Sequence, residues 1–269
     1  MSKTIGVLGC GWLGYPLARI LLQEGFVLRG TSTTLAKLDL LQNKGIEAFR
    51  IALHEKQISG PIDEFLHGLD ILIVNIPPGM RNSLSESYFK KIELLYHHIR
   101  ENNVGKIVFV SSTSVYGNAV GPVSEETQVE PVTNSAKHLV KSEQLFFEDD
   151  QLETSVVRFG GLIGPDRHPV TMLSGKTGLK NGNEAVNLIH LNDCINLIKS
   201  IILNDWWHEI FNGVYPDHPT KADYYVHEAR FRRLEIPHYE TTIMNRSGKI
   251  IESKNFLIKN GHFYTPIRS

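Results

Sequence analysis

Short, wholly apolar runs alternate along the chain with stretches whose apolar residues recur at helical spacing. Ile5-Gly6-Val7-Leu8, Phe26 to Gly30, Ala48 to Ile51, Leu69 to Ile76, Lys106 to Val110 and Thr154 to Phe159 read as strands. Their apolar residues are continuous rather than alternating with polar ones, which predicts strands buried on both faces. Helices are predicted from Tyr15 to Leu22, from Leu35 to Lys44 with Gly45 as the stop, and from Ser85 to Asn102 with Phe89, Ile92, Leu95 and Ile99 on one face. A further helix is predicted from Thr133 to Glu148, and another from Cys194 to Leu203 with Asp193 as its cap. Strands alternating with helices argue for βαβ units, and right-handed crossovers make them a doubly wound parallel sheet of the α/β class. The second half is less regular. Residues 166 to 183 read as loop, and the tail from Tyr215 has no clear pattern.

Composition narrows the classes. The chain has 269 residues, 41% hydrophobic and 21% charged, which is ordinary for a globular protein with a sizeable core. A net charge of -1 offers no electrostatic case for nucleic acid or an anionic membrane. No apolar run reaches the roughly 18 residues a membrane span needs. The N-terminus enters the first strand directly, so no signal peptide is expected and the predicted location is cytoplasmic. Cys10 and Cys194 form no disulfide or zinc spacing, and Cys10 reads as a small filler. The 12 histidines form no metal-ligand pattern, and the adjacent His97 and His98 read as surface residues. No metal is expected.

Candidate chemistry begins at Gly9-Cys10-Gly11-Trp12-Leu13-Gly14, set between the first strand and first helix. The first glycine allows the tight turn, the second lets backbone approach a pyrophosphate, and the third lets helix pack on strand. Unpaired amides at the helix start suit the phosphates of a dinucleotide. The end of the second strand selects the cofactor: an acid there bonds the ribose 2′-hydroxyl of NAD. Residues 29 to 34 hold no acid; they offer Thr31, Ser32, Thr33 and Thr34, with Arg29 and Lys37 nearby. Hydroxyls and cations suit a 2′-phosphate, so NADP is favoured, with NAD as the alternative. The same run also reads as a helix cap.

Ser111-Ser112-Thr113-Ser114-Val115-Tyr116-Gly117 follows the strand ending at Val110. With the early glycine turn, Asn75-Ile76-Pro77-Pro78, Pro131, Arg158 to Pro165 and Ile189 to Asp193, it resembles the extended short-chain dehydrogenase/reductase superfamily, the nucleotide-sugar epimerase and dehydratase group. The resemblance covers about residues 4 to 214. It implies a Rossmann-type dinucleotide-binding domain over 1–160 and a small C-terminal substrate lobe over 161–269, with 186–214 returning to the core. It implies cofactor contacts from Gly9, Gly11, Trp12, Leu13, Gly14, Thr31, Ser32, Thr33, Asn75, Ile76, Pro77, Ser111, Phe159 and Gly160. It also implies a homodimer and a small-molecule substrate.

Family enzymes use a Ser or Thr, here Ser112 by position, and a Tyr whose acidity is raised by a Lys four residues on. Counting forward from Pro131 and back from Glu143 both place the Tyr position at Ser135, which puts the Lys position at Leu139. Both catalytic residues are therefore missing, as in the atypical branch of the superfamily. Lys137 and Lys141 lie two residues to either side, about 200° around the helix. Ser112, Tyr116 and Lys137 are the substitute candidates for the acid/base role. Two readings stay open: an NAD(P)-dependent epimerase-like oxidoreductase acting on a sugar, nucleotide sugar or small carbonyl compound with a non-standard acid/base, and a non-catalytic NADP(H)-binding sensor.

Overall fold

The computed structural model describes residues 2–78, 87–240 and 248–268. Seven strands form one sheet: β1 Thr4–Leu8, β2 Val27–Ser32, β3 Glu47–Arg50, β4 Ile71–Val74, β5 Lys106–Ser112, β6 Glu153–Phe159 and β7 Ile210–Gly213. They run parallel in the order β7-β6-β5-β4-β1-β2-β3. The apolar runs account for this arrangement. In β4, Leu72 and Val74 enter one core layer while Ile71 and Ile73 enter the other, so neither face meets water.

Helices α1 Gly14–Gln23 and α5 Leu191–Leu203 bury Leu17, Leu21, Leu197, Ile198 and Ile201 on one face. On the other face, α3 Tyr88–Glu101 and α4 Asn134–Phe147 bury Ile92, Leu95, Ile99, Leu139 and Phe146. Helix α2 Leu35–Gln42 lies against β3 at the sheet edge. The chain winds outward from β1 to β3, then crosses back to β4 on the other side of β1. That reversal opens a crevice at the carboxyl ends of β1 and β4, where ligands bind in such sheets.

Several local expectations change. The second strand runs on through Thr31 and Ser32. Ser85, the expected start of α3, lies outside the described residues; Ser87 caps the described helix by accepting from Lys90 N at 3.4 Å. Asp193 does not cap α5. His190 does so, its Nδ1 accepting from Asn192 N at 3.2 Å, and the Asp193 carboxylate instead accepts from Tyr264 N and Thr265 N at 2.8 and 3.0 Å.

The stretch expected as loop carries one short helix, Val170–Leu173. The unassigned tail forms α6 Lys221–Phe231, a strand Lys249–Ile251 paired with Gly121–Val123, and a helix Lys254–Ile258. A third apolar cluster gathers Ile163, Val170, Tyr224, Tyr225 and Ile267 from the second half of the chain. Among the described residues no helix is long and apolar enough to cross a membrane.

Candidate functional site

The turn between β1 and α1 is held from both sides. Gly9 N donates to Thr31 Oγ1 and Cys10 N to Thr31 O, each at 2.9 Å, so β2 props the turn. Asn75, just past β4, donates from Nδ2 to Gly9 O at 3.0 Å. Two glycines are there for lack of room. A Cβ at Gly9, whose φ is +102°, would stand 2.5 Å from Asn75 O, and one at Gly14 would stand 2.2 Å from Gly9 O. Gly11 differs: a Cβ there would meet nothing within 4 Å, and its φ is not in the left-handed region. Protein packing therefore gives no reason for a glycine at this position. The amides of Trp12 and Leu13 find no acceptor among the described residues.

A cleft of about 950 Å³ opens from this turn. Gly9 to Gly11 form one end, and Ser32, Thr33, Thr34 and Lys37 form the wall beyond β2. Ile76 and Pro77 lie along the β4 side. The opposite wall is Tyr88 and Lys91 of α3 with Ser135 and His138 of α4. The described lining includes Lys37 and Lys91 and no carboxylate, which suits an anionic ligand. Cys10 lines the turn as a filler, its thiol pushed up to about 12 by burial.

The polar run after β2 divides its work. Thr31 is buried and occupied with the glycine turn. Ser32 Oγ accepts from Thr34 N at 3.1 Å, while Thr34 makes no side-chain cap to α2. Thr33, Thr34 and Lys37 remain exposed at the cleft. Arg29 is turned away: its Nε meets Glu47 at 2.9 Å, and its Nη1 donates to the carbonyls of Glu64, Phe65 and His67. Lys37 is then the cation left at this end from the pair expected there.

The acid/base candidates separate. Ser112 is half-buried at the end of β5. Its Oγ accepts from Ser114 N at 3.2 Å, leaving its O–H to donate. Tyr116 is fully buried, which corrects the expectation that it serves as an acid/base. Its hydroxyl donates to Asn212 Oδ1 and accepts from Arg158 Nη1, both at 2.9 Å. Burial pushes its phenol above the usual value, outweighing the opposite pull of Arg158, whereas a family base needs it lowered. Lys137 is exposed and, like Ser112, is not among the residues that line the described cleft. Ser135 faces the cleft, and Leu139 is buried in the core.

Ser111, Phe159 and Gly160, expected as cofactor contacts, each pack or bond against other parts of the fold. Ser111 Oγ donates to Glu143 Oε1, and that carboxylate is gripped by Arg158 through Nη2 at 2.6 Å and Nε at 3.1 Å. Phe159 is buried against Gly213, where a Cβ would come within 2.4 Å of its ring. Gly160 sits where a Cβ would stand 2.5 Å from Asn187 O. Leu13 is a core residue, so only its backbone is offered. Sequence reasoning passed over His138, Lys91 and Arg167. Spacing held a signal for His138, which is three residues from Ser135 and so on the same helix face. The other two are placed by tertiary packing alone.

On the surface away from the cleft, His98 is not simply solvated. Its Nδ1 lies 2.8 Å from Asp63 Oδ1, with Glu101 close by.

No family model matches the chain. Protein YeeZ of Escherichia coli K12 is 31% identical over 263 residues, covering 97% of this chain and 96% of that protein. A conserved protein of unknown function from Silicibacter pomeroyi has the same fold, with a TM-score of 0.76 at 20% identity over 98% of this chain and 94% of that one. The UDP-glucuronic acid 4-epimerase of Bacillus cereus, solved with NAD, superposes with a TM-score of 0.78 at 16% identity, covering 98% and 92% of the two chains. The full-length relationship to YeeZ shows that the chain belongs to the YeeZ family, and the solved structures share its fold.

Proposed function

We propose that the protein binds NADP(H) and is an epimerase/dehydratase-like oxidoreductase acting on a nucleotide sugar or a related sugar. One observation carries the cofactor reading: Gly11 is free of steric need, yet it sits between two sterically required glycines beside open amides. The space a side chain would fill is the space a diphosphate needs, at the end of a helix whose dipole favours negative charge. The cleft, of about 950 Å³, has Lys37 and Lys91 and no carboxylate among its described lining residues. Lys37 with Thr33 and Thr34, and no acid at the end of β2, favour the 2′-phosphate of NADP over NAD. The UDP-sugar and NAD named for the Bacillus cereus enzyme point to the same ligand class.

The bound nicotinamide would supply the hydride chemistry. This chain's residues would position and protonate. Ser112, with its O–H free to donate, is suited to hold the reacting oxygen. With Tyr116 in the core and Lys137 absent from the described lining, His138 is the imidazole that the α4 wall presents to the cleft, placed to exchange a proton with a bound ligand. The geometry comes before the acidity in choosing such a group.

The test is calorimetry with NADPH and NADH, followed by absorbance at the reduced-nicotinamide band with a panel of nucleotide sugars, sugars and aldehydes. Tighter NADPH binding and turnover of a panel member are expected. Absence of binding to either cofactor overturns the proposal. A second reading, a sensor of NADP(H) without turnover, has its own support in Ser135 and in Leu139 buried where the family lysine belongs. Tight binding without any turnover selects it.

A further inference from the structure

We infer that Arg167 is an anion-binding residue that holds a diphosphate against the glycine turn, joining the substrate lobe to the nucleotide site. The inference rests on the nucleotide-binding reading given above.

The strand Gly161–Ile163 pairs with Leu188–His190. The chain then closes a tight turn, with Gly164 N donating to Arg167 O at 2.9 Å and Arg167 N to Gly164 O at 3.2 Å. This turn is pressed onto the indole of Trp12, the residue after Gly11. A Cβ at Gly164 would stand 2.7 Å from Trp12 Cζ2 and 3.2 Å from Leu191 Cβ, so only glycine lets the two turns meet. The Arg167 guanidinium lies over that indole, 5.1 Å from the ring centroid.

The charge of Arg167 is not neutralised. It is exposed, and no carboxylate pairs with it among the described residues. The neighbouring Asp193 is occupied by the amides of Tyr264 and Thr265. Stacking uses the face of a guanidinium, while its five N–H donors lie in its plane and match phosphate oxygens in pairs. Resting on Trp12 therefore orients Arg167 without spending its donors. The open amides of Trp12 and Leu13 belong to the same turn. A cation from the lobe thus rests on the side chain of Trp12, whose own amide and that of Leu13 are open, and a diphosphate is the ligand chemistry these groups share. Two diphosphates are available: that of the dinucleotide and that of a nucleotide sugar.

The test uses the full-length protein with R167K, R167E and G11V variants. Calorimetry measures NADPH, and then UDP on NADPH-saturated protein, at two salt concentrations. Melting temperatures check the fold, which an exposed side chain leaves intact. Loss of at least about tenfold in affinity is expected for R167E, with a weaker salt dependence, and partial retention with the salt dependence kept in R167K. A loss on NADPH assigns the cofactor diphosphate, and a loss on UDP alone assigns the substrate diphosphate. Unchanged affinity for both ligands in R167E, with G11V still abolishing NADPH binding, overturns the role of Arg167 and spares the nucleotide site. A wild-type protein that binds neither ligand overturns both.

Discussion

The glycine turn with its cleft and the polar cluster under α4 treat hydrogen-bonding groups in opposite ways. At the turn, the amides of Trp12 and Leu13 have no acceptor, and Lys37 no paired carboxylate, among the described residues. Under α4, Ser111, Glu143, Arg158, Tyr116 and Asn212 bond one another in a continuous buried chain. Buried polar groups must be satisfied within the fold, whereas unsatisfied ones at a cleft wait for a ligand. Tyr116 and Ser111 look functional in the sequence but belong to the satisfied region. On the proposed function, the α4 cluster serves stability and the turn serves binding, and each role can be broken.

The largest effect is expected in the buried cluster. E143A would leave Arg158 charged and unpaired at a site where both side chains are 6% exposed. Losing one partner of such a pair costs about 3–5 kcal/mol. Urea unfolding would measure it, and a change near zero would deny the cluster its structural role.

Acid should act on the satisfied lobe and spare the turn. His168 lies at 2.9 Å from Tyr224 Oη, with Glu228 at 3.6 Å and Arg232 beyond. Burial, then the charge of Arg232, lowers its pKa to about 4, against the opposite pull of Glu228. The folded state thus binds fewer protons than the unfolded one between about pH 4 and 6.5. The stability His168 contributes is present above about pH 6.5 and falls by about 3 kcal/mol as the pH drops to 4. Denaturation across this range should be steeper for the wild type than for H168Q. Equal slopes would show that His168 is not the group responsible.

At the turn, G11V should reduce NADPH affinity by about a hundredfold, with little change in melting temperature, because its side chain meets only open space. G14A should do the reverse and destabilise the fold, since its Cβ would meet Gly9 O at 2.2 Å. A melting point lowered equally by both would erase the distinction between ligand space and packing space.

Two smaller effects sharpen the picture of the cleft wall. H138Q should lower turnover while NADPH binding persists; unchanged turnover removes His138 from proton handling. K37A should weaken NADPH by about tenfold and NADH little, as expected for a contact to a 2′-phosphate. Equal losses would point to a general charge effect.

The arrangement of strands and helices was legible because it rests on local pattern. Apolar runs make buried strands wherever they pair, and the spacing of glycines dictates where backbone can approach backbone. Counting from Pro131 and from Glu143 also points to one residue, Ser135, which the structure places on the cleft wall. Local pattern says nothing about which distant group a polar side chain will meet. Tyr116 finds Asn212, 96 residues away, and Arg29 finds the carbonyls after residue 63 instead of the cleft. Asp193 holds the tail and leaves the capping of α5 to His190. Chain order alone therefore determined the doubly wound sheet and its glycine turn. Only the folded packing decided which charges and hydroxyls are spent on the protein and which are left for a ligand, because satisfaction depends on partners brought together across the whole chain.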